Sequence, residues 1–129
     1  MNFFVKSISF FGAFLHIFIS LEPIEAKPYE IAVLQALDKV TARVFTVYAL
    51  IDNVANFGTL EIVVRRCDRR PPEDPPESAA FLEIVEAQIG KPKTRVFNGW
   101  MFASSPALSA LEHPVYDVWV TDCVKSDRK

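Results

Sequence analysis

Apolar and polar side chains alternate along much of this chain, a pattern typical of β-strands that bury one face. In residues 40–48, VTARVFTVY, and in residues 57–67, FGTLEIVVRRC, the alternation is carried by residue types that favour pleated strands. We predict strands at residues 31–37, 40–48, 57–67, 80–87, 94–102 and 115–123. The last of these has apolar side chains on both faces, which favours a central place in its sheet.

One short helix is predicted near residues 106–112. Ser105 suits the N-cap and Pro106 the first helical position, and Pro114 ends the element. Leu108 and Leu111 lie three residues apart and should both face the core. The expected fold class is all-β, a small antiparallel sandwich or barrel of about six strands with this single helix.

The two ends of the chain and one internal segment differ from the alternating pattern. Residues 1–26 combine Lys6, an apolar run and a small residue at position 26, which is typical of a cleaved signal peptide. The alternative is an uncleaved N-terminus that anchors the protein in the membrane. Residues 71–78, PPEDPPES, predict a stiff extended loop. We therefore expect a single all-β domain at residues 27–124, a frayed tail at 125–129 and a periplasmic location.

Charge and composition exclude several classes of function. The formal net charge of −2 predicts no general attraction to nucleic acid, and we expect no membrane span once the signal is removed. The sequence contains no glycine-rich phosphate loop and no metal-ligand spacing, so no cofactor or metal is expected.

The only two cysteines, Cys67 and Cys123, both lie in the predicted exported part. In an oxidising compartment an even number of cysteines favours a disulfide. Closing a loop of this length stabilises a fold by about 4 kcal/mol in the chain-entropy model. The alternative is a pair of free thiols, in which case the neighbouring arginines would make Cys67 reactive.

A serine-histidine hydrolase site is the other catalytic alternative. Ser104 and Ser105 precede His113 by eight or nine residues, but no nucleophile-elbow motif surrounds them. A serine before proline is more simply explained as a helix cap, and His113 as a residue that bonds locally. We therefore expect no catalytic residues.

Two sets of residues are candidates for binding. Four arginines within six residues, Arg65, Arg66, Arg69 and Arg70, could hold an acidic partner or protect a strand end. Trp100 and Phe102 lie on one face of their strand. Core packing is the first expectation for that pair, and for Trp119; the alternative for Trp100 and Phe102 is an exposed patch for a protein or a glycan.

Most of the predicted domain resembles a known family. The resemblance rests on ALDKVTARV (36–44), FGTLEIVVRRC (57–67), RPPEDPPESAAFLEI (70–84) and VFNGWMFASSPALSALEHPVYDVWVTDC (96–123). These segments resemble a family of small exported alphaproteobacterial proteins described as a domain of unknown function, DUF2155. The resemblance implies export and paired cysteines but no catalytic residues. Residues 49–55, ALIDNVA, depart from the proline- or glycine-containing turn expected in relatives.

Together these observations favour a non-catalytic periplasmic module that binds or scaffolds an envelope protein or cell-wall component. The alternatives are a carbohydrate binder that uses Trp100 and Phe102, and an enzyme that uses Cys67 or the Ser105–His113 pair.

Overall fold

Seven strands and one turn of 3-10 helix make up the fold of the computed structural model, which describes residues 12–13, 17, 19–20 and 29–126. The predicted signal peptide lies almost entirely outside the described residues, as does the end of the predicted tail. The strands are β1 (Ile31–Asp38), β2 (Arg43–Leu50), β3 (Val54–Phe57), β4 (Leu60–Arg69), β5 (Ser78–Glu86), β6 (Thr94–Phe102) and β7 (Tyr116–Val124).

These strands form two antiparallel sheets. The three-stranded sheet has the order β2-β1-β7 and the four-stranded sheet the order β3-β4-β5-β6. The sheets pack face to face as a small sandwich, so the all-β prediction is confirmed, and the alternative of a closed barrel is wrong. The proline-rich segment connects β4 to β5, which are neighbours in their sheet.

The core lies between the two inner faces and follows from the alternation along each strand. On β1, Ala32, Leu34 and Ala36 are fully buried, while the residues between them are only half-buried. Leu82 and Ile84 on β5 belong to the same core and come from the other sheet. The remaining buried hydrophobic side chains are Ala49, Leu60, Ile62, Val64, Cys67, Ala80, Met101, Leu111, Val118, Val120 and Cys123.

Two connections use residues other than glycine with positive φ. In the β1–β2 hairpin the Asp38 carboxylate accepts hydrogen bonds from the backbone of Val40 and Thr41, and Ala42 takes a φ of 57°. Between β2 and β3 the chain crosses from one sheet to the other, and Asp52 takes a φ of 64°. In this connection, where we expected a proline- or glycine-containing turn in relatives, Asp52 takes a left-handed conformation, which aspartate tolerates.

The predicted helix at 106–112 is wrong in length and in detail. Only Pro106–Leu108 forms a helical turn, of the 3-10 type, and the Ser105 side chain makes no capping hydrogen bond. Leu108 is 76% exposed, whereas Leu111 is buried as predicted. A seven-residue helix has little stability of its own because helix nucleation is costly. This segment must also cross from one sheet to the other, so most of it is irregular.

The place predicted for the last strand is also wrong. β7 lies at the edge of the three-stranded sheet, and β1 occupies the centre. Val118 and Val120 point into the core, which leaves Trp119 half-buried on the outer face opposite Gln35. Trp119 is therefore not a core residue.

Candidate functional site

A covalent link joins the two sheets beneath the arginine-rich end of β4. Cys67 on β4 and Cys123 on β7 lie at disulfide distance, with their Cα atoms 5.7 Å apart, and both are buried. Neither is a free thiol in the structure, so the reactive-thiol alternative has no geometric support. The predicted pairing therefore ties the edge strand β7 to the interior of the four-stranded sheet.

The arginines project in different directions from this end of β4. A bulge between Val64 and Arg66 turns Arg65 aside, where its guanidinium bonds to Asp52 and Glu83, both at 3.1 Å. The hydrogen bond that Arg65 donates to Asp52, followed by those to Glu83, raises the pKa of Arg65 above its ordinary value. Arg66 pairs with Asp68 at 2.7 Å.

The other two arginines are less constrained by acidic partners. Arg69 lies 3.8 Å from Asp122, and no acidic side chain among the described residues lies within salt-bridge distance of Arg70. The acidic partners of the arginines lie on β4 itself, on β5 and β7, and in the β2–β3 connection.

Trp100 and Phe102 lie on the outer face of the four-stranded sheet, not in the core. They are 38% and 36% exposed. The side chains of alternate residues on β6 point outward, and Met101 between them is buried. The first expectation for this pair was therefore wrong, and the exposed-patch alternative describes their position.

An aromatic–arginine row crosses three adjacent strands of this face. Arg66 on β4 pairs in register with Phe81 on β5, and Phe81 pairs with Trp100 on β6. The Phe81 and Trp100 rings meet edge to face, with centroids 5.7 Å apart. Ala79 and Phe102 form the next register pair along the same face. Sequence reasoning missed Phe81, because the residues beside it, Ala80 and Leu82, are also apolar and hide which face is outward.

A shallow groove of about 390 Å³ continues this surface towards the proline-rich loop. Phe102 and Ala79 form its apolar side, and Arg69, Arg70 and Glu77 its charged side. The row and the groove bring Arg66 and Arg70 near both candidate aromatic residues. Arg69 also borders the groove, but it pairs in register with the buried Ser78 and lies 3.8 Å from Asp122 of the other sheet. Arg65 bonds to Asp52 and Glu83.

The two serines and His113 do not form a catalytic arrangement. Ser104 donates from its hydroxyl and from its backbone N–H to the Glu77 carboxylate. These bonds, together with the Ser78 backbone and the charge of Arg70, hold the pKa of Glu77 below its usual value. Among the described residues neither serine bonds to His113, and Ser104 instead ties its segment to Glu77 at the end of the proline-rich loop.

His113 is buried and organises the approach to β7. Its Nδ1 accepts hydrogen bonds from the backbone N–H groups of Val115 and Tyr116, at 3.0 and 3.1 Å. Its Nε2 lies 3.1 Å from Glu86, although the angle is poor for a hydrogen bond. The neighbouring His113 is the main cause that lowers the pKa of the Glu86 carboxyl. The expectation that His113 bonds locally is confirmed, though no helix ends there.

In the described part of the chain, no group of three or more histidine, cysteine or acidic side chains is placed to hold a metal ion. The same residues include no helix with the length and apolar character needed to cross a membrane.

A family model described as an uncharacterized protein conserved in bacteria (DUF2155) matches residues 32–123. The chain belongs to the DUF2155 family. The matched stretch of this DUF2155 protein runs from β1 to Cys123 in β7 and so coincides with the sandwich. An uncharacterized protein of Rickettsia prowazekii (strain Madrid E) is 30% identical over 99 residues, which cover 77% of this chain and 64% of the relative. No solved structure matches the chain.

Proposed function

We propose that this protein is an exported periplasmic module that acts by binding an envelope partner and performs no catalysis. The observation that carries the proposal is the aromatic–arginine row on the outer face of the four-stranded sheet. Arg66, Phe81 and Trp100 stand side by side on three paired strands, with Phe102 in the adjacent register position.

The chemistry of this row suits a protein partner. Tryptophan and arginine are the residue types most enriched among side chains that dominate binding energy. The Arg66 Nε donates to the Asp68 carboxylate on the same strand at 2.7 Å, and both side chains are exposed, so the planar guanidinium is accessible to a partner. β4 and β5 beneath the row are paired on both sides and β6 is paired with β5, which limits the entropy lost when a partner orders these side chains.

Export is supported by two features of different kinds. The N-terminal sequence has the order of a signal peptide, with a basic start, an apolar stretch and a small residue before the predicted cleavage point. The cysteine pair is of the kind that persists in oxidising compartments, where a core of modest size gains from a covalent link. Both features fit the periplasm of a bacterium.

The absence of catalysis is part of the proposal and is supported by the roles of the reactive side chains. Ser104 is bound to Glu77, His113 to the backbone of β7, and Cys67 to Cys123. Each of the candidate nucleophiles or bases that we considered, apart from Ser105, already has a structural partner.

Site-specific photo-cross-linking in living cells tests the proposed surface. A photoreactive residue at Asn98, next to the row on β6, should yield a discrete adduct with an envelope protein, and Trp100→Ala should remove it. Asn56 is the matched control, because it is also an exposed asparagine on an edge strand of the same sheet. The proposal fails if Asn56 yields the same adduct, or if the adduct survives Trp100→Ala.

The exposure of Trp100 and Phe102 also favours a second candidate, a cell-wall carbohydrate stacked on the rings. In a Trp119→Phe background Trp100 is the sole tryptophan and reports on its own surroundings. Saturable changes in its fluorescence with peptidoglycan fragments, absent in Phe102→Ala, would support the glycan. Unchanged fluorescence would exclude that candidate.

A further inference from the structure

The outer face of the three-stranded sheet is a second surface that the proposed function does not use. Exposed apolar side chains are concentrated in its β1–β2 hairpin. Val44 is 55% exposed, Tyr48 69% and Leu50 49%, and Val40 in the adjoining turn is 77% exposed. Because β2 is an edge strand, the side chains of Val44, Tyr48 and Leu50 are in contact with water in a single copy of the chain.

Register extends this surface across all three strands. Val44 pairs with Leu37, Tyr48 with Val33 and Leu50 with Ile31, and β7 contributes Trp119 and Val124 on the other side of β1. We call this surface the apolar face. It consists of Ile31, Val33, Gln35, Leu37, Val44, Thr46, Tyr48, Leu50, Asp117, Trp119 and Val124.

The polar groups of the apolar face are few and mostly satisfied. Gln35 donates to the Thr46 hydroxyl at 3.1 Å, so the two polar side chains near its centre bond to each other. Asp117 is its one charged member among the described residues, and it lies at a corner. Asp122, which pairs in register with Val33, turns its carboxylate to Ser78 of the other sheet. The face can thus be covered without leaving a buried charge near its centre.

The two outer faces of the sandwich differ in chemistry. The outer face of the four-stranded sheet carries charged side chains on each of its long strands, such as Glu61, Glu83 and Arg95. A solvated antiparallel sheet normally has polar residues outward in this way. The apolar face lacks this polar layer, which marks it as an interaction surface.

We propose that the apolar face is covered by the same face of a second copy of this chain, in a two-fold dimer. Homodimer interfaces are the most apolar class, and two-fold dimers are the commonest oligomers. An almost uncharged face meets its own copy without like-charge repulsion, which a charged face does not. The outer face of the four-stranded sheet remains free for a partner in such a dimer.

The size of the apolar face agrees with this occupant. Three strands about 4.8 Å apart, with residues about 3.4 Å apart along each, make a corrugated face of roughly 15 by 25 Å. Covering it on two copies buries about 1,000 Å², which is near the lower limit of a specific interface. We expect a dissociation constant in the range of about 1–100 µM. An interface this small gains only slightly more free energy from burial than association costs in lost translational and rotational freedom.

Two valine variants provide the test. Val44 on β2 and Val54 on β3 are 55% and 56% exposed, both lie on edge strands, and only Val44 belongs to the apolar face. The full chain and its Val44→Glu and Val54→Glu variants, purified from the cell envelope, would be compared by sedimentation velocity over a series of concentrations. Thermal unfolding would verify that both variants stay folded.

We expect the parent and Val54→Glu to pass from monomer to dimer with rising concentration. Val44→Glu should weaken the dimer about tenfold or more, because it places a carboxylate in the covered face. A parent that remains monomeric up to several hundred µM overturns the proposal, since that range exceeds the expected dissociation constant. A dimer equally weakened by both variants, or by neither, also overturns it.

Discussion

Replacing Gly58 with alanine should destabilise the protein through one defined contact. Gly58 lies in the β3–β4 turn with a φ of 55°, a conformation that side chains with a Cβ atom rarely adopt. A Cβ atom at this position would overlap the Oη and Cζ atoms of Tyr116 and lie 3.0 Å from its Cε1. Tyr116 is held on both sides, edge to face by Phe57 and stacked by His113.

The magnitude follows from three contributions. Alanine in the left-handed region costs about 1–2 kcal/mol. The smaller entropy of the unfolded chain returns about 0.4–1 kcal/mol. Displacing a packed ring typically costs about 1–3 kcal/mol more. The expected net loss of unfolding free energy is therefore about 1–5 kcal/mol, and its mid-range value of about 3 kcal/mol lowers Tm by roughly 10–25 °C in a domain of this size.

Gly90→Ala is the matched control for this prediction. Gly90 also has a positive φ, 78°, but no atom lies within 4 Å of the position that its Cβ would take. Only the backbone strain remains, so the loss should stay near 1 kcal/mol or below. Urea unfolding of both variants measures the difference. Equal losses of unfolding free energy for Gly58→Ala and Gly90→Ala would show that the Tyr116 ring moves away from the new Cβ atom at no cost, and would refute the reasoning.

Three further outcomes are expected. Replacing Cys67 and Cys123 with alanine should lower the unfolding free energy by about 2–5 kcal/mol, measured by urea titration; an unchanged midpoint would contradict the pairing. Trp119→Ala should leave the domain folded, as judged by near-ultraviolet circular dichroism, because Trp119 lies on the outer face. Complete unfolding of this variant would show that Trp119 is a core residue after all. The pKa of Glu77 is lower in the folded protein than in the unfolded chain, so ionised Glu77 stabilises the fold above the unfolded-state pKa, and this contribution is lost as the pH falls through the folded-state pKa. Ser104→Ala should make Tm depend less on pH in the acid range, and an unaltered pH profile of Tm would contradict the contact between Ser104 and Glu77.

Strand positions were largely readable from the sequence because alternation is a local property. The prediction at residues 94–102 coincides with β6, and the predictions that correspond to β1, β5 and β7 differ by one or two residues at their ends. β3 was missed because it has only four residues and its alternation is too short to recognise. The helix near residue 106 failed because its length gave too little local stability to resist the path between the sheets.

Sheet order and the outward direction of each face were not readable in the same way. They depend on pairings between strands far apart in the chain, such as β1 with β7. Alternation showed that Trp100 and Phe102 share a face, but only the sandwich decides that this face is outside. The same ambiguity hid Phe81, and it hid the apolar face, because both sides of β2 carry valine and aromatic residues.

The proposed role requires that the protein reach the periplasm with Cys67 joined to Cys123. The most direct measurement is the intact mass of the protein from an envelope fraction, with and without alkylation before reduction. We predict a chain that begins at Lys27 and takes up no alkyl group. A full-length mass would contradict cleavage and favour a membrane anchor, and two alkyl groups would contradict the disulfide and return reactive thiols beside the arginines to consideration.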